Sequence, residues 1–214
     1  MALHPHHPSA IISLMQTTDS RQQLRTELRA RRRALTPDQQ AQASQWLLRK
    51  LMSLPLFMRS QHVALYWAMD GEIDVAPVAT QLWKMGKHCY LPVLHPQHKR
   101  QLWFAEYLPS TQLKLNKFKI PEPDHRNAQK LPAHLLDVVL VPLVGFDATG
   151  ARLGMGGGFY DTTFAFKQKQ KSISKPWLLG VAHACQQMDK LETAEWDVAL
   201  HGVVTDEAIF LCAK

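Results

Sequence analysis

The chain has 214 residues, 46% hydrophobic and 20% charged, a length and balance suited to one globular domain that needs no disulfide or structural metal. Its formal net charge of +7 favours anionic partners, either nucleic acid or phosphorylated small molecules. No apolar run is long enough to span a membrane, and Cys89, Cys185 and Cys212 form no CxxC or Cys/His pattern, so they read as reduced thiols of a cytoplasmic protein.

Residues 1–18 are expected to be a disordered leader, with Met15 an alternative start to Met1. Ala10 to Met15 is apolar but lacks the basic flank and cleavage site of a signal peptide. Residues 19–214 are expected to form a single domain. Asp19 or Ser20 is placed to cap a first helix with Leu24, Leu28 and Leu35 on one side and Arg21, Arg25, Arg29, Arg31, Arg32 and Arg33 around it. Thr36-Pro37-Asp38-Gln39 reads as a capping box opening a second helix to about Met52. His62 to Trp67 predicts a strand, Asp74 a cap for a helix to Gly86, and Lys87 to Val93 and Gln101 to Tyr107 two further strands. Asn116 to Lys130 is polar and proline-rich and reads as a loop. Val138 to Pro142 is wholly apolar, the pattern of a strand buried on both faces. Phe159 to about Gln170 reads as helix and Trp177 to Ala182 as strand. Strands alternating with helices predict an α/β fold, a three-layer sandwich whose mainly parallel central sheet is flanked by helices.

Between the apolar strand and the next helix lies Gly145-Phe-Asp-Ala-Thr-Gly-Ala-Arg-Leu-Gly-Met-Gly-Gly-Gly-Phe-Tyr-Asp161. Glycines let backbone N–H groups converge on phosphate oxygens, and the following helix start adds unpaired donors. Arg152 adds a cation able to pair with phosphate in a bidentate way. The loop is neither a Walker A sequence nor a dinucleotide fingerprint. Asp161 would repel bound phosphate unless a cation lay between them, which magnesium held by one or two carboxylates would satisfy. Asp197 and Asp206 are both open as the second carboxylate. The arginines of the first helix fit a solvated face, a nucleic-acid surface or a phosphate site; only Trp46 offers an aromatic nearby, too little for a single-strand platform.

The Gly145–Asp161 segment is similar almost throughout to the signature of the 5-formyltetrahydrofolate cyclo-ligases, also called methenyltetrahydrofolate synthetases. Arg21-Gln-Gln-Leu-Arg25 resembles that family's basic N-terminal element, Asp70-Gly-Glu-Ile-Asp74 its acidic turn, and Ile120-Pro-Glu-Pro123 its Ile-Pro-x-Pro loop. Trp196-Asp197 and Val203-Val-Thr205 resemble its closing block. The resemblance implies conversion of 5-formyltetrahydrofolate and ATP to 5,10-methenyltetrahydrofolate, ADP and phosphate, with magnesium. It implies that Arg21, Gln22, Gln23, Leu24 and Arg25, together with Arg152, Leu153, Gly154, Met155, Gly156, Gly157, Gly158, Phe159 and Tyr160, surround ATP. It implies Asp161 and Asp197 as magnesium ligands and Arg152, Tyr160 and Asp161 as the catalytic group. Trp67, Glu72 and Phe118 are implied to bind folate, with Met155 to Phe159 facing both substrates. Two departures stand out. Met155 and Gly157 replace basic residues that some members carry, and His201 stands where an aspartate is common. The partners expected are 5-formyltetrahydrofolate and ATP, with no nucleic acid and no membrane, acting on a monomer. The competing readings are a nucleic-acid module built on the arginine helix and another ATP-dependent transferase on the same scaffold.

Overall fold

The computed structural model describes residues 8–124, 126, 128–169 and 175–212. Helices α1 (Pro8–Arg33), α2 (Pro37–Ser53) and α3 (Pro55–Arg59) precede strand β1 (His62–Ala64). Helix α4 (Ala76–Lys84) leads to β2 (His88–Leu94), which turns back as β3 (Leu102–Glu106). A hairpin of β4 (Leu113–Leu115) and β5 (Pro121–Pro123), then the short β6 (Lys130–Leu131), lead to β7 (Val138–Pro142). Next come β8 (Gly145–Asp147), β9 (Arg152–Leu153), α5 (Phe159–Phe164) and α6 (Phe166–Lys169). The chain continues through β10 (Trp177–Val181), β11 (Gln187–Met188), β12 (Gly202–Val204) and β13 (Ile209–Leu211).

Among the described residues the main sheet has the order β13-β12-β10-β7-β1-β2-β3-β6. Its centre, from β12 to β2, is parallel, and β13, β3 and β6 join antiparallel. The alternation of a strand sends neighbouring side chains to opposite faces, and β7 shows the result. Val138 and Leu140 pack with Leu47, Phe57, Val78 and Leu82 from α2, α3 and α4. Val139 and Val141 pack with Phe104 and Phe164 on the other face. This is the expected three-layer α/β arrangement.

Several local expectations shift. Thr36 caps α2 as read, with Gln39 N donating to its Oγ1 and Gln39 Oε1 accepting from its N–H. α1 continues N-terminal of Asp19 and Ser20, so neither residue caps it; residues 1–7 of the expected leader lie outside the described residues. Asp74 does not cap α4, whose N-cap is Val75; its Oδ1 instead accepts from Ala76 N at 2.9 Å, one residue early. The Asn116–Lys130 loop contains β5 and the start of β6, because Pro121 and Pro123 pair as the edge of a two-stranded ribbon, a place where proline is tolerated.

The last turns of α1 are anchored by charge. Arg29 Nε lies 2.7 Å and Arg32 Nη2 3.0 Å from Asp70 Oδ2, and Arg33 pairs with Oδ1. Burial raises the Asp70 carboxyl, but the bonds from Arg29, Arg33 and Arg32 outweigh it and hold the group below the usual carboxylate range. The Arg32 side chain has 0% exposure, and it also donates to Asp70 O (2.9 Å) and Leu143 O (3.2 Å). Arg32→Ala is expected to lower the unfolding free energy by about 3–5 kcal/mol, because it strands buried acceptors and an ion-pair partner. Arg29→Ala removes one of three donors at a partly exposed carboxylate and should cost about 1 kcal/mol or less. Urea unfolding ranks the two variants, and equal losses would refute the anchoring role of Arg32.

Candidate active site

The glycine loop does not leave β7 directly, as the sequence pattern suggested. The β8–β9 hairpin intervenes, so Arg152 and Leu153 sit on a strand and the loop proper is Gly154–Gly158. Asp147 builds the hairpin. Its Oδ1 accepts from Thr149 N (2.9 Å), Thr149 Oγ1 (2.6 Å) and Ala151 N (3.2 Å), and its Oδ2 accepts from Leu191 N (2.9 Å). Burial raises this carboxyl and the four bonds more than reverse it, so Asp147 stays ionised. Gly145 lets α1 approach the hairpin: a Cβ there would meet Leu28 Cδ1 at 2.5 Å. Gly156 and Gly158 have φ of +90° and +67°, a region that side chains disfavour, and Gly158 is the N-cap of α5. α5 is held against β3 by Thr163, whose Oγ1 donates to Phe159 O and accepts from Leu102 N.

Against this loop the structure sets Arg25, and Arg21, one turn earlier on α1, turns to the Asp197 segment. Arg25 Nε donates to Gly154 O at 2.9 Å, and its guanidinium lies beside Gly156. Arg21 Nη2 lies 3.7 Å from Asp197 Oδ2 and Nη1 donates to Glu192 O. Burial and then Arg21 push the Arg25 guanidinium down, with Asp197 opposing. Gln22 accepts from Arg25 Nη1 at 3.4 Å, while Gln23 is exposed. Leu24 faces Leu28, Val144, Leu153 and Leu191 and seats α1 on the hairpin, and Leu153 is buried in the same cluster. Arg152 is turned inward. It pairs with Asp161 Oδ1 and donates to Val198 O, so its guanidinium is engaged by protein groups. Val198 N also donates to Asp161 Oδ1, at 3.2 Å, which places Asp161 beside the residue that follows Asp197.

The carboxylates fit a shared divalent cation. Asp161 and Asp197 come from adjoining segments, and Asp161 Oδ2 and Asp197 Oδ1 take no part in the contacts above. Among the described residues no group of three metal-ligating side chains occurs. Magnesium does not require one, since it is commonly held by one or two carboxylates, phosphate oxygens and water. Asp206 is placed differently: its Oδ1 accepts from Ala184 N at 2.8 Å, and it lines a depression with Trp46 and Lys50. His201 serves the sheet edge, its Nδ1 accepting from Leu178 N at 3.0 Å.

Of the residues implied for folate, Phe118 meets the residue that follows the loop, while Trp67 and Glu72 are held by other groups. Phe118 is 51% exposed and meets Phe159 edge-on, with centroids 5.8 Å apart and planes at 84°. Met155 is exposed, and a Cβ on Gly157 would touch the Phe159 ring. The Glu72 side chain is 13% exposed, accepts from Met69 N at 3.0 Å and lies 3.7 Å from Arg32. Burial raises its pKa, with Arg32 opposing. Burial and then the Glu72 charge push the Tyr160 hydroxyl up, so Tyr160 keeps its proton. Trp67 packs against the core that contains Leu65 and Tyr66.

The family model described as the 5-formyltetrahydrofolate cyclo-ligase family matches residues 17–206. The chain belongs to this family. It is 44% identical over 183 residues to the 5-formyltetrahydrofolate cyclo-ligase of Escherichia coli (strain K12), covering 86% of this chain and 98% of that protein. It is 43% identical to the Haemophilus influenzae enzyme of the same name, covering 87% and 98%. The NMR structure of Aquifex aeolicus 5,10-methenyltetrahydrofolate synthetase superposes with a TM-score of 0.77 at 27% identity, covering 91% of this chain and 93% of that one.

Within the family signature, sequence reasoning missed the residues that build the site. Asp147 stands in the signature but reads as a turn residue, and only its Leu191 bond shows that it joins the hairpin to the Asp197 segment. Gln186 likewise donates to Leu143 O and Val144 O, fixing the exit of β7. Arg29, Arg32 and Arg33 are committed to Asp70 and Arg31 to Glu27, which disfavours a nucleic-acid surface on this helix.

The raised pKa of Glu72 has a stability consequence. An acid raised above its unfolded value favours the fold when protonated, so its contribution worsens as pH rises from its ordinary value of 4.5. Glu72→Gln should therefore unfold at a higher temperature than the parent at neutral pH. The gap should close as pH falls towards about 4.5. Thermal melts at the two pH values check this, and a variant less stable at neutral pH would contradict it.

Proposed function

We propose that this chain closes the ring of 5-formyltetrahydrofolate to 5,10-methenyltetrahydrofolate, consuming ATP with magnesium and releasing ADP and phosphate. The observation that carries the reading is that Arg25 lies on Gly154–Gly158, with Arg21 beside Asp197, while Asp161 and the Phe118-facing Phe159 both follow the loop's last glycine. Phosphate donors and an aromatic wall thus meet on one backbone segment. The alternative of another ATP-dependent transferase is disfavoured by Glu72, a buried carboxylate beside Tyr160 suited to the N–H edge of a pterin.

The chemistry asks for activation of a poor electrophile. The formyl oxygen of the substrate attacks the terminal phosphorus of ATP, the bond to ADP breaks, and the oxygen becomes a leaving group. N10 then attacks the activated carbon, and phosphate departs with that oxygen. Because nucleophile and carbon share one molecule, orientation supplies much of the second step. Magnesium, when bound by Asp161 and Asp197, would neutralise charge on the transferring phosphoryl group. Backbone N–H groups of Gly154–Gly158 and the Arg21 and Arg25 guanidiniums orient the phosphates. Arg152 holds Asp161 in place through their ion pair. Tyr160, kept protonated, donates a hydrogen bond rather than acting as a base. Every residue invoked comes from one chain, so a monomer suffices. The three cysteines are free, in keeping with action in the cytoplasm.

Asp161→Asn should abolish magnesium-dependent turnover. It should also lower stability by about 1.5–3 kcal/mol, because the charge-assisted bonds from Arg152 and Val198 are weakened. Undiminished turnover at limiting magnesium refutes the metal assignment. The reaction itself is read by mixing protein, 5-formyltetrahydrofolate and Mg-ATP and following the absorbance of the methenyl product. Substrate carrying ¹⁸O in the formyl group should yield inorganic phosphate carrying that label after one turnover. Label found in water instead would rule out the phosphorylated intermediate.

A further inference from the structure

The turn that carries Phe118 is held by more hydrogen bonds than its exposure calls for. β4 and β5 are joined through residues 116–120. Asn116 Oδ1 accepts from Phe118 N at 2.8 Å and from Ile120 N at 3.1 Å. The Asn116 backbone donates to Ile120 O at 3.0 Å and accepts from Lys119 N at 2.9 Å. Lys119 is thereby kept at φ +60°, a left-handed conformation that lysine disfavours. The second half of the Asn116 amide faces outward from the turn: Nδ2 donates to Glu122 Oε2 at 3.0 Å, and the same oxygen accepts from Leu94 N at 3.2 Å. One carboxylate oxygen therefore fastens the hairpin to the end of β2 in the main sheet. The Phe118 ring that results is half exposed, edge-on to Phe159 and accompanied by Lys117 Nζ at 5.1 Å from its centroid. An exposed ring gains little stability from such bracing, whereas a ring that must wait in place for a flat partner does need it.

We propose that Asn116 and Glu122 are positioning residues for the folate. They hold Phe118 against Phe159 so that the two rings present a preformed wall for an aromatic ring of the substrate. The inference rests on the proposed function, and it assigns both residues a role that acts through Phe118 and not by contact with ATP. It makes a charge-specific demand. In Asn116→Asp the acceptor for Phe118 N and Ile120 N survives, but a second carboxylate now faces Glu122 and should drive the turn away from β2. In Glu122→Gln, by contrast, the amide oxygen can take the place of Oε2 and accept from both Asn116 Nδ2 and Leu94 N, so the turn stays fastened to β2.

Steady-state kinetics on the full chain test this. Asn116→Asp should raise KM for 5-formyltetrahydrofolate by about tenfold, matching Phe118→Ala, with KM for ATP within about twofold of the parent. Glu122→Gln should keep the folate KM within about twofold of the parent, because an amide oxygen accepts both bonds. An unchanged folate KM in Asn116→Asp, a tenfold rise in Glu122→Gln, or a parallel rise in both KM values overturns the positioning role. Amide exchange gives a reading that needs no turnover: protection at Phe118 and Ile120 should be lost in Asn116→Ala, and unchanged protection overturns the bracing. A parent chain that makes no methenyl product overturns the functional reading instead, which the exchange measurement leaves distinguishable.

Discussion

The guanidinium of Arg32 sits where no water reaches it, and a buried cation is tolerated only if its charge and its hydrogens are taken up. Asp70 supplies the charge, and the carbonyls of Asp70 and Leu143 take further hydrogens. Each of these acceptors belongs to a different working part. Asp70 opens the turn that carries Glu72, Leu143 follows β7 and precedes the hairpin, and Arg32 itself ends the helix that carries Arg21 and Arg25. Helical periodicity does the rest. Arg21, Arg25, Leu28 and Arg32 are spaced by four, three and four residues, which puts them along one stripe of α1. Anchoring the stripe at Arg32 and packing Leu28 on Gly145 leaves Arg25 lying over Gly154 and Gly156. The Arg25 guanidinium, two turns away, is thus set over the glycine loop by the anchor at Arg32.

The charges at the glycine loop are arranged in opposed pairs. Arg21 faces Asp197 and Arg152 faces Asp161, each carboxylate within reach of the loop. Arginine brought near arginine would otherwise repel, and burial compounds the cost, as the lowered Arg25 pKa records. The paired aspartates make the assembly neutral enough to fold while leaving one carboxylate oxygen of each outside these contacts. Such pairing suits the proposed binding of an anion that arrives with its own cation.

Much was legible along the chain. Thr36 and Gln39 announced α2 because a capping box is a local arrangement, complete within four residues. Val138 to Pro142 announced a central strand because burial on both faces leaves no room for polar residues. The signature from Gly145 to Asp161 marked the family and a glycine loop in which Gly156 and Gly158 take positive φ, a backbone demand. The start of α4 and the proline-rich ribbon were misplaced by a few residues for the converse reason. Asp74 was an available cap, but the chain enters α4 one residue later, and β5 pairs only because β4 lies beside it.

The roles of individual charged residues could not be read this way. Six arginines in or near one helix look alike in sequence, yet one is wholly buried, two join it at Asp70, one reaches the loop, and one pairs with Asp197. Asp197 and Asp206 were equivalent candidates until the fold set one against Arg21 and the other against Ala184 N. Sequence determined the elements, the family and the loop, since these depend on local backbone preference and on a contiguous signature. Tertiary structure decided which side chains meet, because ion pairs such as Arg32 with Asp70 or Arg21 with Asp197 join positions far apart in the chain, and only the packing of α1 on the hairpin and sheet brings them within bonding distance.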